Sequence, residues 1–231
     1  MINTTEDTVL SDALAGLAHE LRTPLTAIRG FADLLTSLDG PDDELIRLEI
    51  TARLVRNTKQ LELLVDNMLD AANHGRLESL HPRRVSLRSL AHDVVDDVAL
   101  TLGPHHVDVH GVVAYAFADP YAVTRILMTL LMNAAQYSPD NTAIDVETTS
   151  HPNGRVVLAV TDEGPGIPGD ERDAVFGRFW RSERARERVR GLGVGLSIAR
   201  DLCVMSGGDI HVGDARVGCG SRFEVDLPAA V

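Results

Sequence analysis

His19 and Glu20 stand side by side in the stretch Leu17-Ala18-His19-Glu20-Leu21-Arg22-Thr23-Pro24-Leu25, and they offer a nucleophile next to a proton acceptor. A neutral imidazole nitrogen is a competent nucleophile near pH 7, and an adjacent carboxylate takes the proton from the other ring nitrogen as charge develops. Such a pair is also common on surfaces without any function, so the residues further along decide its meaning. Asn133 interrupts the apolar run Leu130-Leu131-Met132-Asn133-Ala134-Ala135. A buried amide needs partners, and either a core hydrogen bond or an oxygen-seeking Mg2+ supplies one. Asp162 opens Asp162-Glu163-Gly164-Pro165-Gly166-Ile167-Pro168. A carboxylate at a strand end accepts a hydrogen bond from an exocyclic amine such as that of adenine, and glycines let backbone approach a planar ring; a solvent turn has the same composition. Phe176, Phe179 and Trp180 come just before or within a stretch carrying six arginines between 178 and 190 against two glutamates, which fits a cover over an anionic ligand or a solvated basic face. Gly191, Gly193 and Gly195 alternate immediately before a helix. Free backbone N–H groups at the positive end of a helix suit phosphate, although this spacing is not the dinucleotide fingerprint.

The elements that must carry these residues follow from periodicity. Leu14, Leu17, Leu21, Leu25, Ile28, Phe31, Leu35 and Leu38 hold helical spacing, which predicts a helix over 11–38 with Ser11 or Asp12 as cap and a bend at Pro24. His19 and Arg22 lie off that stripe, towards solvent. Asp39-Gly40-Pro41-Asp42 ends the helix, and Leu45, Leu48, Ala52, Val55, Leu61, Val65, Met68 and Ala72 predict a second over 43–72. One antiparallel hairpin cannot cover its own apolar stripes, so a second copy completing a four-helix bundle is the expected solution, docking on the rest of the chain being the other.

Residues 73–84 carry Gly75 and Pro82 and read as a linker. Beyond it the spacing predicts strands over 85–87, 107–112, 113–118, 143–149, 156–161, 209–213 and 221–227. Helices are predicted over 88–102, 120–137 and 193–206, the second capped by Asp119 with Pro120 at its first position, and Asn153-Gly154 marks a hairpin turn. The fold class is α+β: a helical hairpin forming a dimeric bundle, then a two-layer α/β sandwich. The expected domains are 1–74, a linker at 75–83, and 84–231. His105, His106 and His110 lack a fourth ligand and are expected in a solvated loop.

Composition narrows the classes. At 231 residues and 44 % hydrophobic content the chain can bury one large core or two modest ones. Its net charge of -12 argues against nucleic-acid or anionic-membrane partners. No apolar run is long enough for a membrane span, Met1 to Asp7 does not read as a signal peptide, and two cysteines without metal spacing fit a reduced compartment; a cytoplasmic setting is expected. Lys59 is the only lysine and is flanked by Thr58 and Gln60, which excludes a Walker-type nucleotide loop.

The order and spacing of these clusters resemble the sensor histidine kinases of two-component signalling, whose ATP-binding domain belongs to the gyrase, heat-shock chaperone and mismatch-repair ATPase superfamily. The resemblance runs over residues 11–228. The stretch at His19 is similar to the phosphoacceptor box, Asn133 to the N box, Asp162, Gly164 and Gly166 to the first glycine box, Phe176 and Phe179 to the F box, and Gly191, Gly193 and Gly195 to the second glycine box. Gly220-Ser221-Arg222-Phe223 resembles the closing strand. The resemblance implies an autokinase that moves the γ-phosphoryl of ATP to His19 and then to an aspartate of a response regulator. It assigns Glu20 as base, Thr23 to a phosphatase reaction, and Asn133 to Mg2+. Nucleotide contacts are expected at Asn133, Tyr137, Asp162, Gly164, Gly166, Ile167, Arg178, Phe179, Gly191, Gly193, Gly195, Leu196 and Ser221. Thr129 and Gln136 stand where the family usually has asparagine and lysine, and Leu192 where a small hydroxyl residue is frequent. An arginine, either Arg178 or one in the arginine-rich segment after it, is the expected replacement for that lysine. The alternative is a degenerate module that binds ATP or a regulator without autokinase activity. With no sensory, transmembrane or receiver segment, the chain is expected to be the cytoplasmic catalytic part of a longer sensor or a soluble kinase fed by a partner.

Overall fold

The computed structural model describes residues 4–38, 40, 43–72, 80–182, 193–215 and 220–230, with backbone alone for 4–20, 60, 63, 64 and 66–72. Two long helices come first: α1 (Thr4–Ser37) and α2 (Glu44–Ala72). Because α1 begins at Thr4, Ser11 and Asp12 lie inside the helix rather than capping it. Thr4 and Thr5 are themselves cap-type residues, so the start signal recurs along the polar N-terminal stretch and the apolar stripe does not mark its first instance. Pro24 is within α1, which runs on past it. At the turn, the Gly40 amide donates to Asp43 Oδ2 at 2.9 Å and the Asp43 amide donates back to the Gly40 carbonyl at 3.3 Å, which sets the start of α2.

The second region contains β1 (Arg83–Ser86), α3 (Leu87–Val98), β2 (His106–Gly111), β3 (Tyr115–Ala118), α4 (Pro120–Tyr137), β4 (Ala143–His151) and β5 (Arg155–Thr161). It closes with a short 3-10 turn (Ala174–Phe176), α5 (Gly195–Met205), β6 (Asp209–Asp214) and β7 (Ser221–Pro228). Five strands form one sheet in the order β2-β4-β5-β7-β6, with β2–β4 parallel and the other pairs antiparallel. β1 and β3 form a separate antiparallel ribbon. The strands expected over 107–112 and 113–118 are therefore not neighbours. After Gly111, whose φ is +100°, Val112 is held by Thr148, its amide donating to the Thr148 carbonyl at 2.8 Å, and the chain leaves for the ribbon. The helix expected over 88–102 ends at Val98.

The core lies between the sheet and α3, α4 and α5. Ala122, Val123, Ile126, Leu127, Leu130, Leu131 and Ala134 of α4 are all buried against Ile144, Val146, Leu158, Val160, Val225 and Leu227. Each such leucine or isoleucine contributes roughly 1.5–3 kcal/mol relative to exposure. α4 starts where the sequence predicts: Asp119 Oδ1 accepts from the Tyr121 amide at 2.8 Å, and Pro120 is the first helical residue. The two regions meet where α2 reaches the carbonyl end of α3. Arg56 Nε donates to the Leu100 carbonyl at 2.8 Å, and Lys59 Nζ donates to the Asp97 carbonyl, cations placed at the negative end of a helix dipole. Among the described residues no helix is long and apolar enough to cross a membrane.

Candidate functional site

Asp162 follows the last residue of β5 and is 5 % exposed. Its Oδ1 accepts from the Gly164 amide at 2.7 Å and the Ser221 amide at 3.1 Å, while its own amide donates to the Ser221 carbonyl at 2.9 Å. Burial pushes the Asp162 carboxyl above the ordinary aspartate value, and the two backbone N–H donors offset part of that rise. Oδ2 has no partner among the described residues, so one oxygen of a largely buried carboxyl remains available for a donor from outside the chain.

The surrounding turn is built for close approach. A Cβ on Gly164 would lie 2.8 Å from Asp162 Oδ1 and 3.2 Å from the Tyr137 carbonyl oxygen, so the first glycine segment packs directly on the end of α4. Gly220, at φ +128°, has no room for a side chain because a Cβ would collide with the Asp162 carbonyl. This residue was legible in the sequence only as part of the closing strand; the structure makes it a wall of the Asp162 turn.

Asn133 and Tyr137 are four residues apart on α4 and share a face. Asn133 is half-buried and its amide has no partner among the described residues. Burial raises the Tyr137 hydroxyl pKa, partly countered by the charge of Arg181. The amide oxygen of Asn133 fits a hard cation, since an unpaired carbonyl-type oxygen is a donor Mg2+ takes. Thr129 is buried one turn earlier, and Gln136 is exposed and engaged.

The aromatic segment divides in two. Phe176 is core, set edge-on to Phe223 with ring centroids 6.3 Å apart. Phe179 is 42 % exposed and held at φ +62°, a backbone conformation that costs a non-glycine residue roughly 1–3 kcal/mol. Its amide donates to the Gly193 carbonyl at 2.9 Å, and Gly193, at φ +67°, lies so close to the Trp180 carbonyl that a Cβ would collide with it. The residues on either side of the arginine-rich segment are thus fastened to each other. Residues 183–192, including Gly191, Leu192 and four of the six arginines, lie outside the described residues. Arg178, the expected replacement for the family lysine, pairs with Asp201 of α5 at 3.0 Å.

α5 begins at Gly195 with no side-chain cap. Its first intrahelical donor is the Ile198 amide, bonded to the Val194 carbonyl at 3.1 Å, so the amides of Gly195, Leu196 and Ser197 are left for another acceptor. Asp162, Gly164, Gly166, Tyr137 and Ser221 are brought together at one end of the sheet, and the Phe179–Gly193 clasp stands at the start of α5. His19 and Glu20 are on α1, with side chains outside the description; Thr23 follows one turn later, half-buried and engaged. Of the three histidines expected in a solvated loop, His105 precedes β2 in irregular structure and the other two do not lie in a loop. His106 and His110 are in β2, and the His105 ring lies between the Ala135 carbonyl at 3.1 Å and the Thr142 carbonyl at 3.4 Å.

Two family models match this chain. Residues 9–76 match the His Kinase A (phospho-acceptor) domain, and residues 118–231 match the Histidine kinase-, DNA gyrase B-, and HSP90-like ATPase. The chain belongs to the sensor histidine kinases, with their phosphoacceptor and ATPase-type domains. It is 30 % identical over 219 residues to the signal transduction histidine-protein kinase/phosphatase MprB of Mycobacterium leprae, an alignment covering 91 % of this chain and 41 % of that protein. The chain spans about two fifths of that relative's length. Among solved structures it is similar to a mycobacterial sensor histidine kinase MprB, with a TM-score of 0.58 and 27 % identity over 64 % of this chain and 98 % of that one. It is also similar to full-length ShkA in complex with AMPPNP, with a TM-score of 0.62 and 26 % identity over 95 % of this chain and 46 % of that one.

Proposed function

We propose that the chain is an ATP-dependent protein-histidine autokinase. Residues 1–74 form its dimerisation and phosphoacceptor hairpin, 75–83 the connection, and 84–231 the ATP-binding domain. The observation that carries this reading is the buried Asp162, with one carboxylate oxygen fixed by two backbone amides and the other unpartnered, in a chain that also holds a phosphoacceptor domain. The free oxygen accepts from the exocyclic amine of adenine. Tyr137, Gly164, Gly166, Ile167 and Ser221 wall the base, and the N-terminal amides of α5, at Gly195 and Leu196 with the glycines before them, meet the phosphates.

An imidazole nitrogen of His19 attacks the γ-phosphorus. The N–P bond forms as the bond to the β-phosphate oxygen breaks, ADP leaves, and Glu20 takes the proton from the other ring nitrogen. The Asn133 amide oxygen would hold Mg2+, which when bound would neutralise phosphate charge. Arg178 is engaged by Asp201, so the missing lysine's role falls to an arginine of the segment that follows it. Phosphohistidine then passes its phosphoryl group to an aspartate of a response regulator. Thr23, one turn beyond His19, positions water to attack the regulator's phosphoaspartate, breaking its O–P bond and releasing inorganic phosphate, in keeping with the kinase/phosphatase name of the mycobacterial relative. The hairpin's exposed apolar faces support a homodimer, and the chain works in the cytoplasm.

Incubation with γ-labelled ATP and Mg2+ tests this. Wild type acquires acid-labile, base-stable label, and His19→Gln and Asn133→Ala do not. A wild type that stays unlabelled while still binding ATP would leave the degenerate module, for which Thr129 and Gln136 speak. Thr23→Ala is expected to lose its effect on the decay of a phosphorylated regulator.

A further inference from the structure

We propose that Asp108, His110 and Asp145 form a site for a divalent transition-metal cation on the outer face of the sheet, separate from the nucleotide site. The residues come from β2 and β4, whose parallel register sets Asp108 beside Asp145 and His110 beside Glu147. Strand alternation turns Val109, Ile144 and Val146 into the core, so the charged residues face the opposite, solvent side. There the carboxylate oxygens of Asp108 and Asp145 and an imidazole nitrogen of His110 lie within 4.8 Å of one another.

The charges on this face make the trio unusual. Like charges directly opposite on paired strands repel, and in the other such pair on this face, Asp209 and Asp226, one partner is held by Arg155. Arg222 takes Glu147 at 2.9 Å and Glu224 at 2.7 Å, His211 reaches Glu224 at 3.3 Å, and Arg155 pairs with Asp226. Asp108 and Asp145 have no cationic side-chain partner among the described residues, and the His110 ring has no other bond. Two carboxylates and one imidazole are therefore gathered with their negative charge unmatched.

The donor set selects the ion. Imidazole favours Zn2+, Ni2+ or Cu2+ over Mg2+ and Ca2+, which prefer oxygen alone. Donors about 2.1 Å from one Zn2+ at tetrahedral angles stand about 3.4 Å apart, a spacing the three reach by rotation of solvent-facing side chains. Water fills the remaining positions. The bound ion ties β2, the edge strand, to β4 and removes the Asp108–Asp145 repulsion.

The test is calorimetric titration of the full chain with ZnCl2 alone, without nucleotide or Mg2+. The expected result is one Zn2+ per chain, with affinity at least tenfold weaker in His110→Gln and Asp145→Asn, unchanged in Asn133→Ala, and not displaced by equimolar MgCl2. Circular dichroism establishes that both variants fold, and their autophosphorylation matches wild type, which keeps this result independent of the kinase reading. Absence of binding, binding retained in both variants, or displacement by equimolar Mg2+ would each overturn the proposal. A protonated His110 serving as counter-ion to the two aspartates gives the first of these.

Discussion

The hairpin and the sandwich solve the same problem in opposite ways. In the sandwich, three helices and a five-stranded sheet bury one another, and α4 alone sets seven hydrophobic side chains at 2 % exposure or less. In the hairpin, Ile50 is the single buried hydrophobic among the described side chains, while Leu25, Leu34, Leu45, Ile46 and Leu48 are between 47 % and 79 % exposed. Two helices present more apolar surface than one contact line can cover, so the hairpin's stability depends on something outside itself, and the sandwich's does not. Under the proposed function this is a division of labour: the part expected to hold nucleotide is closed, and the part expected to carry the acceptor histidine would be completed by association.

The sharpest way to break this comparison is at Leu158, fully buried on the central strand. Leu158→Ala should lower the sandwich's unfolding free energy by about 2–5 kcal/mol in urea titration, and a cost below about 1 kcal/mol would mean the core is not closed as described. Next is Asp162→Asn. It should keep the fold and weaken nucleotide binding at least about tenfold, since hydrogen bonds to charged groups are worth about 1.5–3 kcal/mol. The pH dependence follows from a carboxyl whose folded pKa is raised. Its stability contribution is complete below the ordinary aspartate value and is lost as pH rises through the folded one, whereas nucleotide binding, which uses the ionised form, is lost as pH falls through it. Asp162→Asn removes both slopes.

Smaller effects belong to the hairpin. Leu48→Glu should weaken self-association at least about tenfold in sedimentation velocity, about 1.4 kcal/mol, while leaving the sandwich's melting unchanged; intact association would sink the dependence on a second copy. Least of all, Glu49→Ala removes an exposed i,i+4 pair with Arg53 and should cost no more than about 0.5 kcal/mol in thermal unfolding.

Local chemistry was legible wherever the residues that decide it are adjacent in sequence. Asp119 and Pro120 start α4, Asn153 and Gly154 turn β4 into β5, and the apolar period of α4 continues to Tyr137. What the sequence conceals is set by partners far along the chain. β2 and β3 follow each other but pair with β4 and β1, because strand pairing is a tertiary choice that no local pattern records. Within the site, Asp162 and the glycines near it stand out by composition. The left-handed backbone of Phe179 does not, since phenylalanine has no preference for it and only the bond to Gly193 enforces it. The sequence already places His110 within an expected strand, but the approach of Asp145 to it is visible only once β2 and β4 are paired.

That bond between Phe179 and Gly193 also bears on how the protein tolerates change. Loop-closure entropy grows only with the logarithm of length, so doubling a segment between fixed ends costs about 0.6 kcal/mol. Since Phe179 and Gly193 are already tied to each other, the placing of α5 beside the aromatic segment does not depend on how many residues separate them. Length added between residues 182 and 191 is therefore expected to leave Asp162 and the start of α5 where they are.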